Sequence, residues 1–239
     1  MKFEDLKKLH QKKYREELGY FLVEGEHLVA ELERAALGNA ALRHCELYVT
    51  HERGTHESLF PIHVINARHM AQITETRSPQ GIVALVPMLG VPAAATSNER
   101  AICLFEIQDP GNLGTILRSL AWFGNFRCLL TPGSVDPYNS KVIRASMGAL
   151  FHVPFEIDVS ASRLQDHYRH IAWLHTSGRS IRDESFRNVD CLLFGNEARG
   201  VPKDLIEEIG AEAYTIKGTG KIESLNVATA VNICAYQLS

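Results

Sequence analysis

Five apolar runs after residue 100 constrain the fold of this chain more than any other sequence feature. They span residues 101 to 107, 126 to 131, 171 to 175, 189 to 194 and 212 to 216, with helical patterns between and after them. Strands that are apolar along nearly their whole length are typical of sheets covered on both faces. The pattern predicts an α/β domain with a mostly parallel sheet.

The first ninety residues predict a smaller α/β unit. Strand-like runs at 20 to 23, 45 to 50, 62 to 65 and 82 to 86 alternate with helical patterns, of which residues 26 to 36 have the clearest helix spacing. Residues 90 to 99, GVPAAATSNE, are mainly small residues with a proline. We therefore predict a domain over 1–89, a linker over 90–99 and a second domain over 100–239.

The composition argues against several classes of protein. The apolar runs are too short to span a bilayer and the first residues lack an apolar signal core, which predicts a cytoplasmic protein without a membrane partner. Five cysteines without a CxxC pair indicate reduced, buried thiols. The histidine pairs His167/His170 and His51/His56 lack ligand neighbours at metal spacing, so no metal site is predicted.

Charge is distributed unevenly, although the net charge is only −3. The first fifteen residues hold six basic side chains, namely Lys2, Lys7, Lys8, Lys12, Lys13 and Arg15, against two acidic ones. Such a segment can neutralise phosphates. A solvated helix face explains it equally well, and both interpretations stay open at this point.

The stretch QDPGNLGTILRSLAWFG, residues 108 to 124, follows the first strand of the second domain. Asp109, Pro110 and Gly111 predict a turn, Asn112 is expected to cap the next helix, and Arg118 lies nearly two turns later. No G-x-G-x-x-G or P-loop pattern is present. A capped helix with a surface arginine would explain the stretch without any function.

Two further polar stretches follow later strands. GNEARGVPKDL, residues 195 to 205, offers close backbone approach at Gly195 and polar atoms on Asn196 and Glu197. KGTGKIESLNVATAVNICAYQL, residues 217 to 238, places Ser224 and Asn226 near a helix start. Each stretch fits an ordinary turn or cap, and each also fits a ligand site at a strand's carboxyl end.

Together, these stretches resemble a known family. NLGTILR (112–118), LLFGNEARGV (192–201) and IKGTGKIESLNV (216–227) are similar to the three motifs of the SpoU group of RNA ribose 2′-O-methyltransferases, in the SPOUT superfamily. SKVIRASMGALF (140–151) is similar to the family's stretch between its first and second motifs. FLVEG (21–25) and SPQGIVAL (78–85) are similar to the ends of the small ribosomal-protein-like RNA-binding domain that many members carry.

The resemblance implies a C-terminal SPOUT domain with a trefoil knot and S-adenosylmethionine as cofactor. Carried over by position, the implied cofactor contacts are Gly195, Asn196, Ile216, Leu225 and Thr176. The implied catalytic or substrate-positioning residues are Asn112, Arg118, Glu197, Ser224 and Asn226. We hypothesise that Arg118 binds the adjacent phosphate and stabilises the developing alkoxide while Glu197 and Asn112 orient it, because a guanidinium is too weak an acid to act as the base.

The resemblance also implies an RNA partner and a homodimer. The candidate RNA-binding residues are Lys7, Lys8, Lys12, Lys13, Arg15 and Arg144. The two-domain layout favours ribosomal RNA; transfer RNA and a non-catalytic RNA-binding factor are the alternatives. Ala198, Lys217, Gly218 and Ser119 depart from the usual motif residues, and Lys217 bears most on cofactor affinity.

Overall fold

The computed structural model describes residues 1–53, 57–90 and 99–239. These residues divide into two compact units. The first contains the described residues up to Gly90 and the segment Asp136–His152, and the second contains 99–135 and 153–239. The predicted linker falls on residues 91–98, which lie outside the described residues, so its role stays a prediction. The segment Asp136–His152 belongs to the first unit although it lies between strands of the second.

The first unit contains a four-stranded sheet in the order β1-β4-β2-β3. Strand β4 runs antiparallel to β1 and β2, whereas β2 and β3 are parallel. Its helices and strands are α1 (Phe3–Leu6), α2 (Lys12–Leu18), β1 (Tyr20–Glu24), α3 (Glu26–Gly38), β2 (Glu46–Thr50), β3 (Ile62–Ile65), α4 (Ala67–Ile73), β4 (Ile82–Pro87) and α6 (Ser140–Ser146). The four predicted strands are therefore present, with ends that differ by one residue at most.

The second unit contains a six-stranded sheet in the order β10-β8-β9-β5-β6-β7, and every adjacent pair is parallel. Its elements are β5 (Arg100–Leu104), α5 (Pro110–Phe123), β6 (Phe126–Leu130), β7 (Phe155–Glu156), α7 (Ala161–His167), β8 (Ile171–Ser180), β9 (Cys191–Phe194), α8 (Lys203–Ile209), β10 (Glu212–Thr215) and α9 (Val227–Leu238). The central strands β5, β6 and β9 are buried along almost their whole length. The predicted parallel α/β sheet is confirmed.

Two strands of this sheet end three or more residues from the predicted position, and one short strand was not predicted. Strand β5 ends at Leu104 rather than 107, because Glu106 adopts a left-handed backbone with φ of 47° and interrupts the extended chain. Strand β8 continues to Ser180, with a shift in its register against β10. The two-residue strand β7 was too short to leave a pattern in the sequence.

The five cysteines are free and buried, as predicted. Burial raises the pKa of the Cys45, Cys103 and Cys234 thiols to about 12. These thiols therefore stay protonated at neutral pH and act as small apolar side chains of the core.

A buried ion pair network supports the β6 edge of the second sheet. The guanidinium of Arg127 on β6 donates to Glu99 and, at 2.6 Å, to Glu156 on β7. Burial raises the pKa of Glu156, but hydrogen bonds from Arg127 and Arg163 outweigh that effect and hold it below its ordinary value. Both carboxylates therefore depend on Arg127 for compensation.

Replacing Arg127 with alanine is expected to lower the free energy of unfolding by about 3 kcal/mol, because the largely buried Glu99 loses its counter-charge and Glu156 keeps only the exposed Arg163. Urea denaturation of the whole chain measures the change. Arg163→Ala is the matched control: Arg163 binds the same Glu156 at 3.0 Å from a side chain that is 44% exposed. Its loss should cost below about 1 kcal/mol. Equal losses for the two variants would contradict the burial argument.

Candidate active site

The candidate site lies at the carboxyl ends of β5 and β9. These strands are parallel neighbours in register, with Leu104 opposite Phe194. The loops that follow them therefore begin side by side. The Phe105 amide donates to the Phe194 carbonyl at 2.8 Å, although the two residues are far apart in the sequence. Ligands of open parallel sheets bind at this edge.

Asn112 does not cap helix α5, which corrects the sequence prediction. The helix begins at Pro110, and Asp109 is its N-cap residue, accepting from the Asn112 amide at 2.7 Å. Proline fits the first helical position and aspartate is a strong cap, so the helix starts two residues earlier than Asn112. The Asn112 side chain is consequently free for other contacts.

Hydrogen bonds join three of the predicted catalytic residues. Asn226 caps α9 by accepting from the amides of Ala228 and Thr229 with its side-chain oxygen. Its NH₂ group must therefore donate, and it does so to the Asn112 carbonyl oxygen at 3.0 Å. Asn112 then donates from its own NH₂ group to a Glu197 carboxylate oxygen at 3.1 Å. The helix cap thus fixes the direction of the chain, and Glu197 is an acceptor at its end.

The loop from Gly195 to Gly200, named here the site loop, is tightly closed. Asn196 and Gly200 exchange backbone hydrogen bonds of 3.1 and 2.9 Å. A Cβ on Gly195 would lie 2.6 Å from the carbonyl carbon of Gly200, so only glycine fits there. The Asn196 side chain is buried, donates to the Glu106 carbonyl at 2.8 Å and accepts from the amides of Ala198 and Arg199.

The chain between β10 and α9 supplies unused backbone donors. Among the described residues, the amides of residues 217 to 225 form no hydrogen bond, and these residues are exposed. Ile216 is half-buried at the start of this segment and Leu225 is 42% exposed near its end. The donor set suits a ligand held through backbone groups. It therefore fits the cofactor contacts that the resemblance implies.

The other predicted site residues occupy separate positions. Ser224 is exposed and makes no hydrogen bond with the described residues. Thr176 is exposed within β8, and its carbonyl accepts from the Thr215 hydroxyl at 3.2 Å. Arg118 is exposed on α5, and its guanidinium contacts neither Glu197 nor any other described carboxylate. The structure joins Asn112 and Glu197 to each other rather than to Arg118.

The predicted RNA-binding residues belong to the first unit. Lys7, Lys8 and Lys12 pair with carboxylates three or four residues away in the sequence, at 2.5, 2.8 and 3.6 Å respectively. Lys13 is exposed. The positive charge of this surface is therefore partly offset locally.

The two arginines of the set are buried or half-buried. Arg15 is only 5% exposed; it donates to the Leu9 carbonyl at 2.8 Å and forms an ion pair with Asp136. The structure thus gives Arg15 a role inside the first unit, because its charge is already compensated. Arg144 is half-buried on α6, and one of its guanidinium nitrogens is buried without a hydrogen bond to the described residues.

The sequence analysis missed Glu106 and Arg199, which form an ion pair beside the site loop. The signal available in the sequence was the carboxylate of Glu106 near the end of the apolar run from 101 to 107. The described part of the chain contains no group of three or more histidine, cysteine or acidic side chains placed to hold a metal ion. It also contains no helix of the length and apolarity needed to cross a membrane.

These features define a parallel α/β protein with a polar site at the carboxyl ends of its central strands. The SpoU rRNA Methylase family model matches residues 99–236, and a model described as the MRM3-like substrate binding domain matches residues 2–84. The chain belongs to the SpoU rRNA methylase family. The predicted fold class, a SPOUT α/β domain preceded by a small α/β domain, is confirmed.

Curated relatives match most or part of the chain. The 23S rRNA (guanosine(2553)-2′-O)-methyltransferase RlmP of Bacillus subtilis is 32% identical over 99% of this chain and 95% of its own length. The mitochondrial rRNA methyltransferase 3 of Mus musculus is 31% identical over 64% of this chain and 39% of its own length. The first of these relatives thus shares both units.

Two solved structures match 99% of the chain. The AdoMet-bound rRNA methyltransferase from Sinorhizobium meliloti is 27% identical, covers 99% of this chain and 93% of its own, and has a TM-score of 0.79. The SpoU methyltransferase AviRb from Streptomyces viridochromogenes, at 20% identity, covers 99% of this chain and 96% of its own with a TM-score of 0.83, which shows a shared fold.

Proposed function

We propose that this protein transfers a methyl group from S-adenosylmethionine to a ribose 2′-hydroxyl of ribosomal RNA. The observation that carries the proposal is the hydrogen-bonded chain Asn226–Asn112–Glu197, which joins all three family motifs at one edge of the sheet. The exposed, unused amides of 217 to 225 beside it suit a bound cofactor. A cytoplasmic location remains our prediction from the sequence.

The cofactor, when bound, supplies an activated methyl group on a sulfonium centre. The protein must place the ribose hydroxyl in line with that group and help its proton leave. Asn112 fixes the Glu197 carboxylate as an acceptor, so Glu197 can hold a hydroxyl proton or a cationic group of the substrate complex. Arg118 is exposed and can bind the phosphate next to the reacting ribose.

The share of this chain that similar proteins match favours ribosomal RNA over transfer RNA as the substrate. The 23S rRNA enzyme RlmP is similar over 99% of this chain, including the first unit. A solved structure whose title concerns 2′-OH methylation of C/U34 on tRNA covers only 59% of it. The first unit is therefore shared with this 23S rRNA enzyme, and we propose that it binds RNA through Lys7, Lys8, Lys12 and Lys13, with Arg144 as a further contact.

Mapping 2′-O-methyl groups across total RNA from cells with and without the gene tests the substrate. We expect one or a few positions of ribosomal RNA to lose the modification and to regain it with the wild-type gene but not with Arg118→Ala. If 2′-O-methyl groups were lost only from transfer RNA, the substrate would be transfer RNA and not ribosomal RNA. An unchanged map, together with no S-adenosylmethionine binding by calorimetry, would leave a non-catalytic RNA-binding factor.

A homodimer is part of the proposal and rests on an aromatic surface of the second unit. Helices α5 and α9 pack together, and the rings of Phe123 and Tyr236 lie 6.0 Å apart. Trp122 is 85% exposed and Tyr236 is 71% exposed. Large exposed aromatic side chains are typical of interface centres. We propose that a second copy of the chain covers them.

Trp122→Glu is expected to weaken dimerisation by about 30-fold, since a charge replaces an aromatic side chain that the second copy would bury. Sedimentation velocity over a range of protein concentrations measures the dissociation constant. Leu37→Glu is the control, because Leu37 is 69% exposed on α3 of the first unit. It should leave the dimer intact. A wild-type protein that stays monomeric at high micromolar concentration would refute the dimer.

A further inference from the structure

We infer that Glu106 is a positioning residue that holds the site loop, and with it Glu197, in the geometry needed for methyl transfer. The inference rests on the proposed function and extends it to a residue outside the three family motifs. Glu106 follows β5, directly beside the loop that follows β9.

The backbone of Glu106 is held in an uncommon conformation by its neighbours. Its φ of 47° is in the left-handed region that non-glycine residues rarely adopt. Its amide donates to the Thr131 hydroxyl at 2.9 Å, and its carbonyl accepts from Asn196 at 2.8 Å and from Gln108 at 3.1 Å. A strained residue with every backbone group bonded indicates a position fixed for function rather than for ease of folding.

The side chain of Glu106 gives the site loop a second attachment. Its carboxylate forms an ion pair with the guanidinium of Arg199. The carbonyl therefore holds Asn196 and the carboxylate holds Arg199, so the two attachments flank Glu197 in the sequence. Glu197 in turn accepts the hydrogen bond from Asn112. Releasing one attachment would let Glu197 move relative to Asn112.

The Glu106–Arg199 pair is a poor source of stability. The Arg199 side chain is 71% exposed and that of Glu106 is 29% exposed, and pairs of such exposure contribute little to folding. The pair can instead fix the position of the site loop. Small displacements of groups that orient a reaction can lower its rate tenfold or more.

Glu106→Gly tests the inference because it removes the carboxylate, keeps the backbone amide and carbonyl, and suits the left-handed φ. We expect kcat for methyl transfer to fall about tenfold, with KM for S-adenosylmethionine within about twofold and the melting temperature within about 3 °C. Arg199→Ala should reproduce the loss, and the double variant should lose no more than either single variant. Unchanged kcat in both single variants would overturn the inference.

Glu212→Gln is the matched control. The Glu212–Arg179 ion pair lies in the same unit at 3.2 Å, and both side chains are more than 60% exposed. Breaking it should leave kcat unchanged. A similar fall in kcat for this variant would show a general charge effect and would also overturn the inference. If Glu106→Gly lowers the melting temperature strongly, Arg199→Ala decides, since it leaves the strained residue untouched.

Hydrogen exchange separates this inference from the proposed function. The amides of Ala198 and Arg199 donate to the Asn196 side chain. Their exchange should be about tenfold faster in Glu106→Gly and in Arg199→Ala than in the wild type and in Glu212→Gln. This readout needs no activity, so it stands even if the wild type methylates no RNA. Equal exchange in all four proteins would show that Glu106 does not position the loop.

Discussion

Replacing Arg118 with alanine is expected to lower kcat for methyl transfer about 100-fold or more while the unfolding curve stays unchanged. The side chain is exposed and has no ionic partner among the described residues, so its removal costs the fold little. Its proposed work is on the substrate, where a fixed cation beside the developing alkoxide is worth two to three powers of ten. Single-turnover methyl transfer at saturating RNA measures the effect.

Arg118→Lys separates charge from geometry. A lysine keeps the positive charge but loses the planar fork that binds a phosphate through two hydrogen bonds. We expect it to recover little of the lost rate. Near-native transfer by Arg118→Lys would make a specific guanidinium role untenable and would leave Glu197 and Asn112 to carry the chemistry.

Gly195→Ala is expected to disrupt the site loop and to weaken S-adenosylmethionine binding at least tenfold. The added Cβ would lie 2.6 Å from the Gly200 carbonyl carbon and 2.9 Å from the Val201 nitrogen. These are backbone atoms, so the loop itself must shift, at a cost of about 1–3 kcal/mol in stability. Calorimetric titration with the cofactor and urea denaturation measure the two effects.

Gly38→Ala is the control for Gly195→Ala. Gly38 is exposed at the end of α3 in the first unit, and a Cβ there would meet no atom within 4 Å. The substitution should leave both stability and cofactor affinity nearly unchanged. Wild-type affinity in Gly195→Ala would contradict the proposed contact between the site loop and the cofactor.

Much of the candidate site could be predicted because its residues stand in short local sequence patterns. Gly195, Asn196 and Glu197 directly follow a buried strand, and Asn226 precedes an apolar helix. Their grouping followed from the resemblance to the family. The wrong cap at Asn112 had a local cause, since two capping residues, Asp109 and Asn112, lie three positions apart and only the helix start distinguishes them.

The residues around Glu106 could not be predicted in the same way. Its partner Arg199 is 93 residues away along the chain. Neither residue has a local pattern that selects the other, and the left-handed φ of Glu106 depends on Thr131, Asn196 and Gln108 together. Contacts of this range exist only after the sheet has formed.

The sequence by itself determined the parallel sheet, because strands that are apolar on both faces must be covered by helices on both sides. It also predicted a division into two domains and the candidate site residues. Only the tertiary structure decided the direction of the Asn226–Asn112–Glu197 chain, the burial of Arg15 and the place of Asp136–His152 in the first unit. All three features depend on contacts between residues that are far apart in the sequence. No local stretch of sequence specifies the free energy of such contacts.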